Sequence, residues 1–206
     1  MYKPIINENR WYFLKELFAN EEYDQCLQES ENYYAELKIN PDEFYMWKVS
    51  FEIALCLKKI GRIRRAMNCA KASLKYAITA SDKTQVFWML GCCYHNIDKQ
   101  QSIKYYERAA LNYERLGLTD YAYALRFNIA KILNDVDGMI DNLNKIDSKK
   151  NGTMKNQGSI ELFNIYIAKN MLSKAIQLIN KVNDKKTKDI MLTTIQQLNI
   201  LTVRVG

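Results

Sequence analysis

Hydrophobic and small residues recur at helical spacing along the chain, most clearly between residues 87 and 113. The segment FWMLGCCY at 87–94 places large side chains around Gly91, and the amphipathic segment SIKYYERAALNY follows at 102–113. Apolar residues three and four positions apart share one face of an α-helix. Gly117 then offers a helix stop, because glycine is favoured just past a helix end. This pattern predicts a pair of helices in which Gly91 lets the second helix approach the first closely.

The neighbouring segments repeat this arrangement. Ala54 and Ala130 take the position of Gly91 in the units before and after, and Phe163 marks it in a fourth unit, so the spacings are 37, 39 and 33 residues. The opening segment, with Trp11 on its first helix, is a weaker copy. We therefore predict an all-α chain, treated as one domain over 1–206, in which residues 147–158 form the only long loop. The predicted helix pairs are at about 8–40, 44–80, 83–117, 120–147 and 157–183, with a capping helix at 187–203.

The aromatic, leucine, glycine and tyrosine at positions 87, 90, 91 and 94 resemble the first-helix signature of the tetratricopeptide repeat, W-x2-L-G-x2-Y. The resemblance covers roughly residues 10–185. It implies a right-handed superhelix of antiparallel helix pairs (a TPR-like solenoid) whose first helices line a concave groove. The expected function is a non-enzymatic binding module that recognises a peptide or a protein segment.

One branch of the tetratricopeptide-repeat proteins resembles this chain further. The run YYERAALNYERLG at 105–117, the repeat spacing above 34 and the many Asn, Lys and Tyr residues are similar to the peptide-pheromone receptors of Gram-positive bacteria and their phages, which include the arbitrium receptors. Those receptors carry an N-terminal DNA-binding or helical output domain, for which residues 1–45 are too short. The resemblance therefore implies a regulatory repeat domain without its usual output, in a signalling or transcription-control circuit.

The family pattern assigns the groove to four positions on the first helix of each repeat. Amides at these positions can hold a peptide bond on both sides, aromatic rings supply apolar area, and lysines select an acidic side chain or a C-terminal carboxylate. The alternatives are core packing for the aromatic residues and plain solvation for the lysines. The predicted peptide-binding residues are Lys48, Gln85, Trp88, Phe127, Lys131, Asn134 and Asn164.

The charge distribution suggests a second function. The chain carries a net charge of +7, and the excess of basic residues lies beyond residue 40. A basic surface attracts nucleic acid or acidic partners, although an AT-rich coding sequence would also enrich lysine. Five cations fall within residues 58–65, where phosphate binding competes with the alternative of a solvated turn, and the alanine-rich helix that follows is not a recognition helix. This basic corner consists of Lys58, Lys59, Arg62, Arg64 and Arg65.

Several classes of function are disfavoured by composition. A single histidine, His95, leaves little room for a catalytic triad, and the glycines are too far apart for a phosphate-binding loop. The five cysteines lack zinc-motif spacing and have apolar flanks, which predicts buried free thiols in a reducing compartment and no metal or cofactor. The chain shows neither a signal peptide nor an apolar run of membrane-spanning length, so we expect a cytoplasmic protein. A homodimer is compatible with its many aromatic residues.

Overall fold

The chain folds entirely into α-helices over the residues that the computed structural model describes, which are 3–146 and 152–204, with side chains described for 7–146 and 152–197. The helices are α1 Lys3–Ala19, α2 Tyr23–Ile39, α3 Glu43–Lys59, α4 Ile63–Ser73, α5 Ala80–Tyr94, α6 Lys99–Arg115, α7 Thr119–Leu133, α8 Val136–Lys145, α9 Gly152–Ala168, α10 Leu172–Lys181 and α11 Lys185–Arg204. Five successive helix pairs followed by α11 confirm the predicted all-α fold.

The chain divides into two compact units, Met1–Gly117 and Leu118–Gly206. In the first unit α1, α3 and α5 each pack against the helix that follows, and α3 also contacts both α1 and α5. In the second unit α7 pairs with α8 and α9 with α10, while α9 also contacts α7 and α11. Each unit has its own hydrophobic core. Among the described helices, none is long and apolar enough to cross a membrane.

Four of the five turns within helix pairs share one backbone design. Each contains a single residue in the left-handed conformation, with φ between 56° and 78°. The amide of the next residue then donates to the carbonyl five residues back, as Arg62 does to Leu57 at 2.8 Å. This is the Schellman arrangement, which closes a helix end and reverses the chain. The left-handed residues are Glu21, Gly61, Asn134 and Asn170.

Gly91 has the close-approach role that the sequence predicts. A Cβ atom at this position would lie only 2.5 and 2.7 Å from two ring carbons of Tyr106 on α6. Tyr106 is buried and its hydroxyl donates to Cys92 Sγ at 3.4 Å, while Ser102 Oγ donates to the Gly91 carbonyl at 2.8 Å. The first and second helices of this pair are thus joined by ring packing and by buried hydrogen bonds.

Three helices begin at least three residues earlier than the sequence predicts, and the first of these is α1, which begins at Lys3 rather than at about residue 8. α5 begins at Ala80, slightly earlier than expected, because Thr79 and Asp82 form a reciprocal capping box. The predicted loop at 147–158 is wrong for its second half, since α9 begins at Gly152; residues 147–151 lie outside the described part of the chain. Met154 packs against the core of the second unit, which supports the helix despite the polar composition of its first turns.

Candidate functional site

The first helices of the first unit carry a surface that we call the aromatic–lysine face, defined by Trp11 and Lys15 on α1 and Phe44 and Lys48 on α3. The Lys48 amine lies 4.0 Å from the centre of the Phe44 ring and 5.2 Å from that of Trp11. The Lys15 amine also lies over Trp11, at 5.4 Å. Phe44 is 49% exposed, which is high for a large apolar side chain. Two cations therefore share one aromatic surface where α1 meets α3.

Lys48 occupies an unusual electrostatic position. Burial lowers the pKa of its amine, and the neighbouring Lys15 acts in the same direction, whereas the charges of Asp82 and Glu8 oppose the shift. Within the part of the chain that the structure describes, no carboxylate lies within 4.0 Å of this amine. The rings around it offer cation–π attraction of about 0.5–1 kcal/mol each, or about 2 kcal/mol where the cation is desolvated, but no negative charge. A half-buried cation therefore remains available to an incoming anionic group.

The predicted groove residues on α5 lie on the same helix as Asp82, whose charge acts on Lys48. Gln85 lies one helical turn beyond Asp82, and Trp88 lies one turn beyond Gln85. Both side chains are half-buried, and Trp88 packs against the core of the first unit. Part of the Trp88 side chain thus packs in the core, as the alternative interpretation expected, and part remains exposed at the predicted groove position.

The four predicted residues of the second unit occupy four different environments. Phe127 is only 5% exposed and belongs to the core, so it offers little surface to a ligand. Lys131 on α7 donates to Glu161 on α9 at 2.6 Å, so its charge is already paired. Asn134 is the left-handed residue that ends α7, and Asn164 is exposed on α9. Lys131 and Asn164 thus lie on the contacting helices α7 and α9, whereas Asn134 lies in the turn after α7.

The basic corner surrounds the turn between α3 and α4. Lys58 is half-buried, and the other four cations are exposed or partly exposed. Arg65 pairs with Glu31 of α2 at 3.1 Å, and the Lys59 amine lies 5.3 Å from the centre of the Tyr23 ring. Two of the five cations are therefore directed toward α2, where the Glu31 carboxylate offsets the charge of Arg65.

Sequence reasoning missed a buried polar cluster in the first unit. Cys26 on α2 and Glu52 and Cys56 on α3 are fully buried, and one ligand atom from each lies within 4.8 Å of the others. Burial raises the pKa of Glu52, although the Lys15 amine 3.2 Å away opposes this shift. A hydrogen bond to Cys26, together with burial, raises the pKa of Cys56. Among the described residues, this is the one group of cysteines and carboxylates close enough to hold a metal ion.

The comparisons with known proteins identify the fold. No protein-family model matches the chain, and no curated protein sequence matches it. Among solved structures, the TPR-like repeats of a Podosopora anserina protein described as a kinesin light chain match with a TM-score of 0.66 and 12% identity, covering 95% of this chain and 99% of that one. A single-substitution form of the same repeats matches with a TM-score of 0.67 and 12% identity, covering 96% and 99%. The chain therefore has a TPR-like helical repeat fold.

Proposed function

We propose that this chain is a non-enzymatic binding module that recognises a carboxylate-bearing peptide or protein segment on the aromatic–lysine face. The observation that carries the proposal is the Lys48 amine, which is half-buried beside aromatic rings and has no ion-pairing carboxylate among the described residues. A carboxylate of the ligand would supply the missing charge-assisted hydrogen bond. The ligand group is an acidic side chain or a C-terminal carboxylate.

The surrounding residues complete a site suited to a short extended ligand. Trp11 and Phe44 offer apolar area at low entropic cost, because aromatic side chains have few rotatable bonds. Gln85 on α5 can donate to one side of a ligand peptide bond and accept from the other. Trp88 extends the apolar surface along the same helix. A ligand bound to the second unit by itself would contact Lys131 and Asn164 only if it displaced Glu161 from the Lys131 amine.

We further propose that ligand occupancy has a regulatory role in a bacterial or phage circuit. Support for this comes from the sequence resemblance to peptide-pheromone receptors. Structural similarity at 12% identity supports only the repeat fold. Binding of one ligand would stabilise whichever conformation of the repeats holds it best, so the output would be a population shift rather than catalysis.

The test uses random peptide libraries, displayed once with free C-termini and once with both ends blocked. Selection on the wild-type chain should enrich an acidic residue, or a free C-terminus in the first library. The affinity of the enriched peptide is then measured by calorimetry. Lys48→Met, which keeps the apolar stem, should weaken binding about tenfold or more, because hydrogen bonds to charged groups contribute about 1.5–3 kcal/mol.

Lys104→Met is the matched control, since Lys104 is an exposed lysine on the second helix of the third pair. Its affinity for the enriched peptide should equal that of the wild type. An acidic consensus that binds Lys48→Met as tightly as the wild type would remove Lys48 from the site. Failure of both libraries to give any consensus would contradict the peptide-binding function itself.

A second candidate function is nucleic-acid association through the basic corner. The observation that favours it is the pair Arg62 and Arg64, which are exposed beside the α3–α4 turn and have no ion pair within the chain as described. Phosphate contacts release counterions, so affinity for a single- or double-stranded oligonucleotide would fall steeply between about 50 and 200 mM salt. Binding that is absent at the lower salt concentration would exclude this function.

A further inference from the structure

The cluster in the core of the first unit has the geometry of a small cation site. Glu52 and Cys56 are four residues apart on α3, so they lie on one face of that helix, and Cys26 reaches them from α2. Their ligand atoms all lie within 4.8 Å of one another. Around a tetrahedral zinc ion with Zn–S of about 2.3 Å and Zn–O of about 2.0 Å, the ligand atoms are roughly 3.5–3.8 Å apart. The three side chains therefore need to move by no more than about 1 Å to coordinate one ion.

One atom of the cluster lacks a partner. Glu52 Oε2 accepts a hydrogen bond from the Lys15 amine at 3.2 Å, but Oε1 has no hydrogen-bond partner although its side chain is 0% exposed. A buried polar group without a partner costs about 1–3 kcal/mol, and more when it is charged. Lys15 therefore binds one oxygen of the carboxylate, and the other oxygen can still bind a cation or a hydrogen-bond donor. Metal coordination satisfies such an oxygen without adding a donor side chain.

The charges in the cluster balance around a divalent ion. Two thiolates and one carboxylate carry three negative charges, which one divalent cation and the Lys15 ammonium group neutralise together. Charge balance matters here because an uncompensated charge is very costly in a fully buried site. Lys15 is held in place from outside the cluster, with its amine 5.4 Å from the Trp11 ring centre and 5.5 Å from that of Phe18.

We propose that Cys26, Glu52 and Cys56 bind one zinc ion that ties α2 to α3 in the core of the first unit. Thiolate sulfur favours zinc over magnesium or calcium, which prefer all-oxygen ligand sets. Binding replaces the two thiol protons, which leave to solvent, so each zinc taken up releases two protons. The Cys26 thiol donates to the Leu14 carbonyl at 3.3 Å. Once the thiol proton has left, this carbonyl oxygen would be free to serve as the fourth ligand of the proposed site.

The experiment titrates zinc into the full chain after reduction and chelator treatment. Native mass spectrometry should show one zinc ion per chain, and a competing chromophoric chelator gives the affinity. Cys26→Ser and Cys56→Ser should each weaken zinc binding by on the order of a hundredfold or more, because even changes outside the ligand shell cost about 10–100-fold. Glu52→Gln should also weaken it, since an amide is a poorer and uncharged ligand.

Cys69→Ser is the matched control, because Cys69 is a half-buried cysteine on α4 outside the cluster. Its zinc affinity should equal that of the wild type. Far-ultraviolet circular dichroism of every variant shows whether it has folded. Cobalt provides a second readout that needs no affinity: the wild type should give the near-ultraviolet absorption of thiolate-bound cobalt, and each cysteine variant of the cluster should lose about half of its intensity.

Three outcomes would overturn the proposal. The first is the absence of stoichiometric zinc binding by the reduced wild-type chain. The second is zinc binding that folded Cys26→Ser and Cys56→Ser variants retain in full, which would locate the ion elsewhere. The third is a cobalt complex without thiolate absorption. If the untreated chain contains a Cys26–Cys56 disulfide and the reduced chain does not bind zinc, the zinc proposal is also refuted. The cluster would then be a redox-active cysteine pair.

Discussion

Replacement of Gly91 by alanine tests the packing on which the repeat fold depends. Gly91 lies in the last turn of α5, and within a helix alanine normally stabilises by about 1 kcal/mol relative to glycine. The new methyl group would lie 2.5 Å from Tyr106 Cδ1 and 2.7 Å from Cε1, well inside normal contact. Tyr106 is 4% exposed, and its hydroxyl is hydrogen-bonded to Cys92, so the ring cannot move aside freely.

The expected net effect is destabilisation of the first unit. Overpacking of a dense core typically costs about 1–3 kcal/mol. The gain in helix propensity offsets about 1 kcal/mol of that. We therefore expect Gly91→Ala to lower the free energy of unfolding by up to about 2 kcal/mol.

Tryptophan fluorescence during urea unfolding measures this effect in the right place. All three tryptophans, Trp11, Trp47 and Trp88, lie in the first unit, so their emission reports that unit alone. The midpoint should fall while the slope of free energy against urea stays constant, because the surface exposed on unfolding is unchanged.

A double-mutant cycle with Tyr106→Leu isolates the contact. Leucine can turn its methyl groups away from position 91, so in this background Gly91→Ala should become neutral or stabilising. Equal stabilisation by alanine in both backgrounds would show that Tyr106 does not press on Gly91. The close-approach explanation of the Leu-Gly pair would then be refuted.

Two further predictions concern a turn and a surface charge. Gly61→Ala should destabilise the first unit by about 1–2 kcal/mol, because φ is 78° at this position; the strain is conformational, since no atom within 4 Å would clash with the new Cβ. Gly61→Asn should destabilise it less, since asparagine takes the left-handed position at Asn134 and Asn170. The urea midpoints of the two variants measure this difference. Lys131→Glu should change the thermal unfolding midpoint only slightly, because the exposed Lys131–Glu161 ion pair contributes about 1 kcal/mol or less. It should nevertheless weaken the binding of an acidic peptide that contacts α7, and an unchanged affinity would show that Lys131 is not part of the binding surface.

The helix pairs could be predicted from the sequence where the packing or the backbone conformation tolerates only one or a few residue types. The 87–117 unit is the clearest case, because only a small residue fits against Tyr106 and only certain residues favour the left-handed turn at Gly117. The start of α9 was not predictable in the same way. Its first turns are polar, and the contact of Met154 with the core depends on where the neighbouring helices lie.

The candidate sites, too, could be predicted only as far as they depend on local sequence rather than on contacts between helices. Lys48 could be chosen from its repeat position, but its aromatic neighbours could not, because Trp11 comes from a repeat with a weak signature and meets Lys48 only after α1 packs on α3. The cysteine–glutamate cluster is hidden for a related reason. Two of its members are a helical turn apart on α3, and the third lies on another helix, so no cysteine-to-cysteine spacing indicates it.

Lys15 links the two proposed sites of the first unit. Its amine contacts Glu52 in the buried cluster and also lies over Trp11, which lies beside Lys48 on the aromatic–lysine face. A change at Lys15 would therefore disturb the charge balance of the zinc site and the ligand surface together. Lys48 is in a different position, because its amine is beside the rings and forms no ion pair with Glu52. Loss of peptide binding in Lys48→Met with zinc affinity intact would thus assign the ligand to the face itself, whereas loss of both would indicate damage to the packing of α1 on α3.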